Sequence, residues 1–157
     1  MRFRQDASRG FTLAELITVI AIIGLLSAMA LPVAKFGYKR QKEMELRQRI
    51  RTITDAIDRY HDLRVRGLIK DPPAVGQEDY PKDLEELVKG VELIDGKKVK
   101  FIRERDLVDP ITNSKEWDTR SSTDAFDALS SDDNNVFDIH SKSTQMSLDG
   151  KTHYNEW

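Results

Sequence analysis

The chain has no cysteine among its 157 residues. This absence excludes disulfide bonds, thiolate zinc sites and catalysis by a thiol. A basic excess is also missing, because 25 Lys and Arg residues stand against 27 Asp and Glu residues, and the formal net charge is −2. Proteins that bind duplex nucleic acid usually carry a clear basic excess. We therefore expect no nucleic-acid partner.

Long apolar runs are absent outside the first quarter of the chain. The first quarter contains one such run, residues 11–31, in which Glu15 is the one charged residue. At about 1.5 Å per residue, a helix of this length crosses roughly 30 Å of hydrocarbon. A lone segment in lipid must be helical, because its backbone groups have to pair internally. The layout predicts a membrane-spanning helix followed by a modest soluble domain.

A cleaved secretory signal is the alternative interpretation of the same segment. A basic start, the apolar run and the small-x-small pattern Ala28-Met29-Ala30 all fit it, and on these features alone both interpretations stay open. Glu15 favours the anchor, because an acidic residue at the centre of a membrane helix costs on the order of 2.5–3.5 kcal/mol. Its cost near one end is smaller, but a simple export signal gains nothing from it. An ionisable residue inside a membrane segment therefore indicates a function.

The stretch RGFTLAEL, residues 9–16, resembles the processing motif of type IV pilins and type II secretion pseudopilins. The resemblance implies that a prepilin peptidase cuts between Gly10 and Phe11 and then methylates the new amino group of Phe11. It also implies that Glu15 pairs with the amino terminus of a neighbouring subunit during filament assembly. An acid and an ammonium group attract strongly in a low dielectric, and either one unpaired is costly. Such a pair would favour one axial stagger between subunits.

The resemblance also implies a location and a set of partners. The subunit would be a single-pass protein of the bacterial inner membrane with its head in the periplasm, assembling with other pilin or pseudopilin subunits through a membrane platform and its ATPase. The positive-inside rule does not by itself give this orientation, because basic residues are at least as dense after the segment as before it. Those that follow are Lys35, Lys39, Arg40 and Lys42.

A second helical half is predicted from Val33 to about Leu63. Its apolar residues recur every three or four positions, which is typical of an amphipathic helix; they are Leu46, Ile50, Ile53, Ile57 and Tyr60. Pro32 lies at the junction with the membrane segment and should kink or locally melt the helix. The resemblance assigns Pro32 to the assembly region together with Phe11 and Glu15.

The remaining residues predict a small α/β head. A short helix is expected at 83–89, a hairpin around Asp95-Gly96, and a turn at Asp109-Pro110 before a strand near Trp117. Residues 121–135 read as a loop, 136–141 as a strand, and Trp157 as packed on the head. The fold class is thus α+β, with a long N-terminal helix on a small antiparallel sheet. The segments are a leader (1–10), the membrane half of the helix (11–33), its amphipathic half (34–64) and the head (65–157).

A metal site is the open question for the head. The segment after Tyr80-Pro81 resembles the G-type (major) pseudopilins, which usually hold calcium in a loop after the last strand. Calcium takes six to eight oxygen ligands, and Asp149 is the candidate here. The family's usual spelling is replaced by KSTQMSLDG at 142–150, so a calcium-loaded loop and an ion-free loop both stay open. The three histidines are scattered, and we expect no enzymatic activity.

Three functions follow from these alternatives. The first is a pseudopilin of a type II secretion system, favoured because the head lacks the paired cysteines common in true pilins; a type IV pilus subunit is its close alternative. The second is a secreted binding protein whose signal ends at Ala30. The third is a membrane-tethered enzyme.

Overall fold

A computed structural model describes residues 10–73, 75, 77–125 and 131–157. The chain divides into two compact units, Met1–Lys39 and Arg40–Trp157, which we describe separately. One long N-terminal helix is followed by small antiparallel sheets, and this confirms the predicted α+β class. The segment boundaries expected after residues 10, 33 and 64 stay predictions.

The long helix α1 spans Leu13–Val65. It continues through Pro32, so the local melting expected there is not found in the single chain. A proline removes one backbone donor, and the hydrogen bonds on either side maintain the helix. Gly67 follows the end of the helix by two residues and terminates it, since its φ of 65° is left-handed. The N–H groups of Gly67 and Leu68 donate to the carbonyls of Arg64 (2.8 Å) and Leu63 (3.0 Å), which is the Schellman pattern.

The apolar stripe of α1 forms one wall of the core of the second unit. Leu46, Ile53, Ile57 and Tyr60 are fully buried and Ile50 is partly buried, as the periodicity predicted. Full burial of such a side chain contributes about 1.5–3 kcal/mol. The opposite wall comes from the head and includes Leu87, Phe101, Trp117, Ile139 and Tyr154.

The short helix α2 spans Leu84–Lys89 and confirms the second predicted helix. Asp83 caps its start, accepting a hydrogen bond from the Glu86 N–H at 2.8 Å. Gly90 ends it with a φ of 76°. A Cβ atom at Gly90 would lie 2.3 Å from the Val99 carbonyl oxygen, so both the backbone angle and the contact require glycine here.

The first sheet is the predicted hairpin, with β1 (Val91–Glu92) antiparallel to β2 (Lys98–Val99). Its turn contains Asp95 and Gly96, as expected. The Asp95 side chain accepts from the Lys97 N–H at 3.0 Å, and Gly96 has a φ of 80°. The strands are only two residues long.

The second sheet pairs β3 (Trp117–Arg120) with β4 (Asp138–Ser141) in antiparallel register. Trp117 lies opposite Ser141, and Arg120 lies opposite Asp138. The predicted strands near Trp117 and at 136–141 are confirmed, the latter two residues shorter. The described parts of 121–135 contain no helix or strand, as expected.

Trp157 packs on the head as predicted. Its ring meets Tyr154 edge-on with centroids 5.1 Å apart, and the Arg47 guanidinium lies 4.3 Å from its centroid. Its indole N–H donates to the Thr152 hydroxyl at 3.1 Å. The final residues are thereby attached to α1.

Candidate functional site

The processing motif lies at the start of α1, where Thr12 and Glu15 cap the helix reciprocally. The Glu15 carboxylate accepts from the Thr12 N–H at 2.9 Å and from the Thr12 hydroxyl at 3.0 Å. The Thr12 hydroxyl oxygen in turn accepts from the Glu15 N–H at 3.2 Å. This is a capping box, which satisfies two helix N–H groups that lack helical partners. In the single chain, Glu15 therefore has donors within its own first turn.

Gly10 and Phe11, the residues expected to flank the cleaved bond, precede the cap. The Phe11 side chain is 84% exposed. A Cβ atom added at Gly10 would meet no atom of the described residues within 4 Å. A larger residue at Gly10 therefore conflicts with none of the residues that the structure describes.

The first unit exposes the apolar surface of α1. This helix is long and apolar enough to cross a membrane, and the described residues of its most apolar stretch are not buried within the chain. Large side chains such as Leu13, Ile20 and Leu26 are each more than half exposed. An exposed apolar surface of this size marks contact with lipid or with another protein. Pro32, the third expected assembly residue, is also exposed within α1.

Asp149, the candidate calcium ligand, caps a turn near the chain end. Its carboxylate accepts from the Ser147 hydroxyl and from the N–H groups of Lys151 (2.8 Å) and Thr152 (3.2 Å). These donors hold the pKa of Asp149 at about 2, the Ser147 hydroxyl contributing most. Among the described residues, no group of three or more His, Asp or Glu side chains could hold a metal ion. Calcium binding at Asp149 stays a prediction.

The aspartates of the 121–135 loop are also used within the loop. Asp124 accepts from the Ser121 N–H at 2.8 Å and from the Asp132 N–H at 3.0 Å. Asp132 accepts from the Thr123 hydroxyl at 2.7 Å, and such hydrogen bonds lower its pKa to about 2. Asp127 lies outside the described residues. Asp124 and Asp132 thus connect the described parts of this loop, 121–125 and 131–135, to each other.

Sequence reasoning missed two polar clusters. The spacing Thr-x-x-Glu at 12–15 is a readable capping signal that it did not use. The second cluster is centred on Glu43. Its carboxylate accepts hydrogen bonds from the Leu148 N–H at 2.6 Å and from the Tyr154 hydroxyl at 2.9 Å. These partners lie more than 100 residues away along the chain, so no local pattern could have revealed them.

Comparison with known proteins identifies the N-terminal segment. Residues 6–31 match the family described as the prokaryotic N-terminal methylation motif. No curated protein matches the chain, and no solved structure matches it. The match supports a type IV pilin-like protein, a class whose members are structural subunits. It implies processing by a prepilin peptidase and assembly with other pilin subunits, and together with the apolar helix it fits a membrane-anchored pilin.

Proposed function

We propose that this chain is a pseudopilin of a type II secretion system, closest to the G-type. The observation that supports this proposal most strongly is the methylation motif, which leads directly into an exposed apolar helix. The absence of cysteine favours a pseudopilin over a long surface pilus, since true pilins commonly carry a cysteine pair. The capped helix after Asp83 lies in the segment after Tyr80-Pro81 that resembles the G-type pseudopilins.

The proposed mechanism is mechanical. After cleavage between Gly10 and Phe11, the subunit waits in the inner membrane with its head in the periplasm. The N-methylated amine of Phe11 then meets the Glu15 carboxylate of an adjacent copy. Glu15 accepts from Thr12 in the single chain, so assembly exchanges or shares these donors with a full positive charge. The amine adds a full opposite charge that Thr12 lacks, and opposite charges attract strongly in the low dielectric of lipid, which favours one stagger.

The filament would drive protein export across the outer membrane. A cytoplasmic ATPase and a membrane platform would add subunits from below. Each addition raises the filament and pushes or gates a folded protein through the outer-membrane channel. The chain itself performs no chemistry on the exported protein in this proposal.

The N-terminal residue of the mature protein tests the proposal. We expect mass spectrometry of the protein from its host to find N-methylated Phe11. A mature protein beginning at Leu31 would instead support a secreted protein, and one beginning at Met1 an uncut anchor. A bulky residue at Gly10 should leave the leader attached, visible as a slower-migrating band.

Deletion of the encoding gene separates a secretion filament from a surface pilus, since both share the processing step. We expect exported proteins to accumulate in the periplasm while surface pili remain. Loss of surface pili with normal secretion would identify a pilus subunit.

A further inference from the structure

Three aromatic rings form a partly exposed cluster on the second unit. His61 on α1 stacks on Tyr80, with centroids 4.2 Å apart and an angle of 14° between the planes. Phe137 meets Tyr80 edge-on at 5.2 Å and is 47% exposed. We name His61, Tyr80 and Phe137 the aromatic patch. Large aromatic side chains exposed together are typical of interaction surfaces.

The backbone before Tyr80 is strained. Glu78 and Asp79 both have left-handed φ angles, 44° and 64°, although neither is glycine. The turn is closed by the Tyr80 N–H, which donates to the Gln77 carbonyl at 3.0 Å. Two consecutive residues in this region cost free energy, and such outliers cluster at functional sites. This turn leads directly into Tyr80, which lies beside His61.

Carboxylates lie beside the aromatic patch. Asp58 precedes His61 by three positions on α1, and Glu78 precedes Tyr80 by two. Burial raises the pKa of Tyr80, and the negative charges of Asp58 and Glu78 raise it further. The Ser122 hydroxyl donates to Glu78 at 2.8 Å and holds it in place. Aromatic faces attract cations, and nearby carboxylates strengthen that attraction. The chemistry suits an arginine or lysine side chain.

The same helix presents arginines further towards its N-terminus. Arg40, Arg47 and Arg51 are exposed and lie seven and four positions apart, which puts them on one face of α1. The Arg47 guanidinium also contacts the Trp157 ring of its own chain. We name these three the basic stripe. Asp58 follows Arg51 by seven positions and continues this face. One helix face is therefore basic in its first part and acidic and aromatic in its second.

We propose that the aromatic patch of one copy receives the basic stripe of a second copy. The inference rests on the proposed function, because two copies anchored in one membrane run parallel. Parallel helices bring Arg47 opposite His61 only when displaced along the axis. The two residues are 14 positions apart, so the displacement is about 21 Å. The four positions between Phe11 and Glu15 correspond to only about 6 Å, so this second copy is a different neighbour from the one whose Phe11 meets Glu15. A contact between two different surfaces of the same chain is heterologous, and within a filament it would join copies at different heights.

Charge exchange in the full chain, expressed in its host, tests the contact. Glu78→Lys and Arg51→Glu should each lower the amount of subunit recovered in pelleted filaments about tenfold. Combining both should restore at least half of the wild-type amount, because opposite charges again meet. Glu116→Lys and Lys151→Glu are the matched controls on exposed residues outside both surfaces, and they should assemble normally.

The ring of Tyr80 has its own test. Tyr80→Phe keeps an aromatic face and should assemble like the wild type, whereas Tyr80→Leu should lower assembly about tenfold. Both variants should keep the wild-type thermal unfolding midpoint within about 3 °C. Equal filament yields from Leu and Phe would overturn the role of the ring.

Disulfide crosslinking tests the displacement, and the lack of native cysteine makes it unambiguous. Cells carrying both Gln48→Cys and Asp62→Cys subunits should form the mixed 48–62 dimer upon oxidation, because these two exposed positions are also 14 residues apart. The 48–48 and 62–62 dimers should be much weaker, because only an unstaggered pair of helices would favour them. Predominance of the symmetric dimers overturns the proposal.

The outcomes separate the two levels of inference. If wild-type chains are cut before Phe11 and form filaments, but the charge variants assemble normally and 48–62 does not crosslink, only this contact is wrong. If wild-type chains are neither cut there nor recovered in filaments, the proposed function is wrong and this contact with it.

Discussion

Ser141 donates a hydrogen bond from its hydroxyl to the Asp109 carboxylate at 2.6 Å, and both residues are fully buried. The other oxygen of Asp109 accepts from the N–H groups of Ile111 (2.6 Å) and Thr112 (3.3 Å). This buried carboxylate thus connects β4 to the Asp-Pro turn. Buried polar groups persist when they are hydrogen-bonded, and the interior penalises them heavily when they are not.

Ser141→Ala should lower the free energy of unfolding by about 1–3 kcal/mol, because it removes a donor from a buried carboxylate. Urea denaturation of the full chain in detergent, followed by tryptophan fluorescence, measures the change. Trp117 is a suitable reporter, since it is buried and pairs with Ser141 across the sheet. The exposed Thr144→Ala variant is the control and should stay within about 0.5 kcal/mol. An unchanged urea midpoint for Ser141→Ala would contradict the role of this contact.

Glu15→Gln separates helix capping from charge pairing. Glutamine can replace glutamate in a capping box, so the start of α1 should be kept while the negative charge is lost. We expect both Glu15→Gln and Glu15→Ala to be processed normally and to fail in filament assembly. Immunoblots for the processed form and pelleted filaments measure the two steps. Normal filaments from Glu15→Gln would show that capping, and not the charge, is what Glu15 supplies.

Glu43 should contribute more to the docking of the chain end than Tyr154 does. Glu43→Ala removes the acceptor of both the Tyr154 hydroxyl and the Leu148 N–H, whereas Tyr154→Phe removes one donor. We expect losses of about 2–3 and about 1–2 kcal/mol respectively, since hydrogen bonds to charged groups are the stronger ones.

Hydrogen exchange of residues 145–157 should speed up in both Glu43→Ala and Tyr154→Phe. Glu45→Ala is the matched control, because its contact is a half-exposed ion pair with Arg49 at 3.6 Å, and such pairs contribute little. Exchange that accelerates equally in the control would mean that helix α1 itself, and not the docking, has been disturbed.

Asp149 should titrate far below an ordinary aspartate. Its folded pKa is about 2, against about 3.9 for an unperturbed aspartate. The stabilisation it supplies is therefore present above pH 4 and is lost as pH falls through about 2. A carboxyl ¹³C NMR titration measures the pKa, and Ser147→Ala should raise it by removing the main cause. Thr144→Ala should leave it unchanged, and an effect of added calcium on the Asp149 signal would support the predicted metal site.

Local sequence patterns predicted the helices and strands of this fold, but they did not predict its polar contacts. The stripe from Leu46 to Tyr60 has a helical period, and Asp83 and Gly90 mark the two ends of α2. Asp95-Gly96 is a hairpin signal that depends on neighbouring residues only. Each of these features is decided within a few positions of the chain. Pro32 was expected to kink or locally melt the helix, and α1 continues through it without melting, because the effect of one missing hydrogen bond depends on the whole helix around it.

The sequence by itself determined the N-terminal motif, the apolar helix and the order of the elements, since each depends on short-range spacing and hydrophobicity. Only the tertiary structure decided that Asp109 meets Ser141, that Glu43 holds the chain end, and that His61, Tyr80 and Phe137 share one surface. Those groups are between 19 and more than 100 residues apart. Their meeting depends on how helix and strands pack, because packing brings together residues that no local pattern relates.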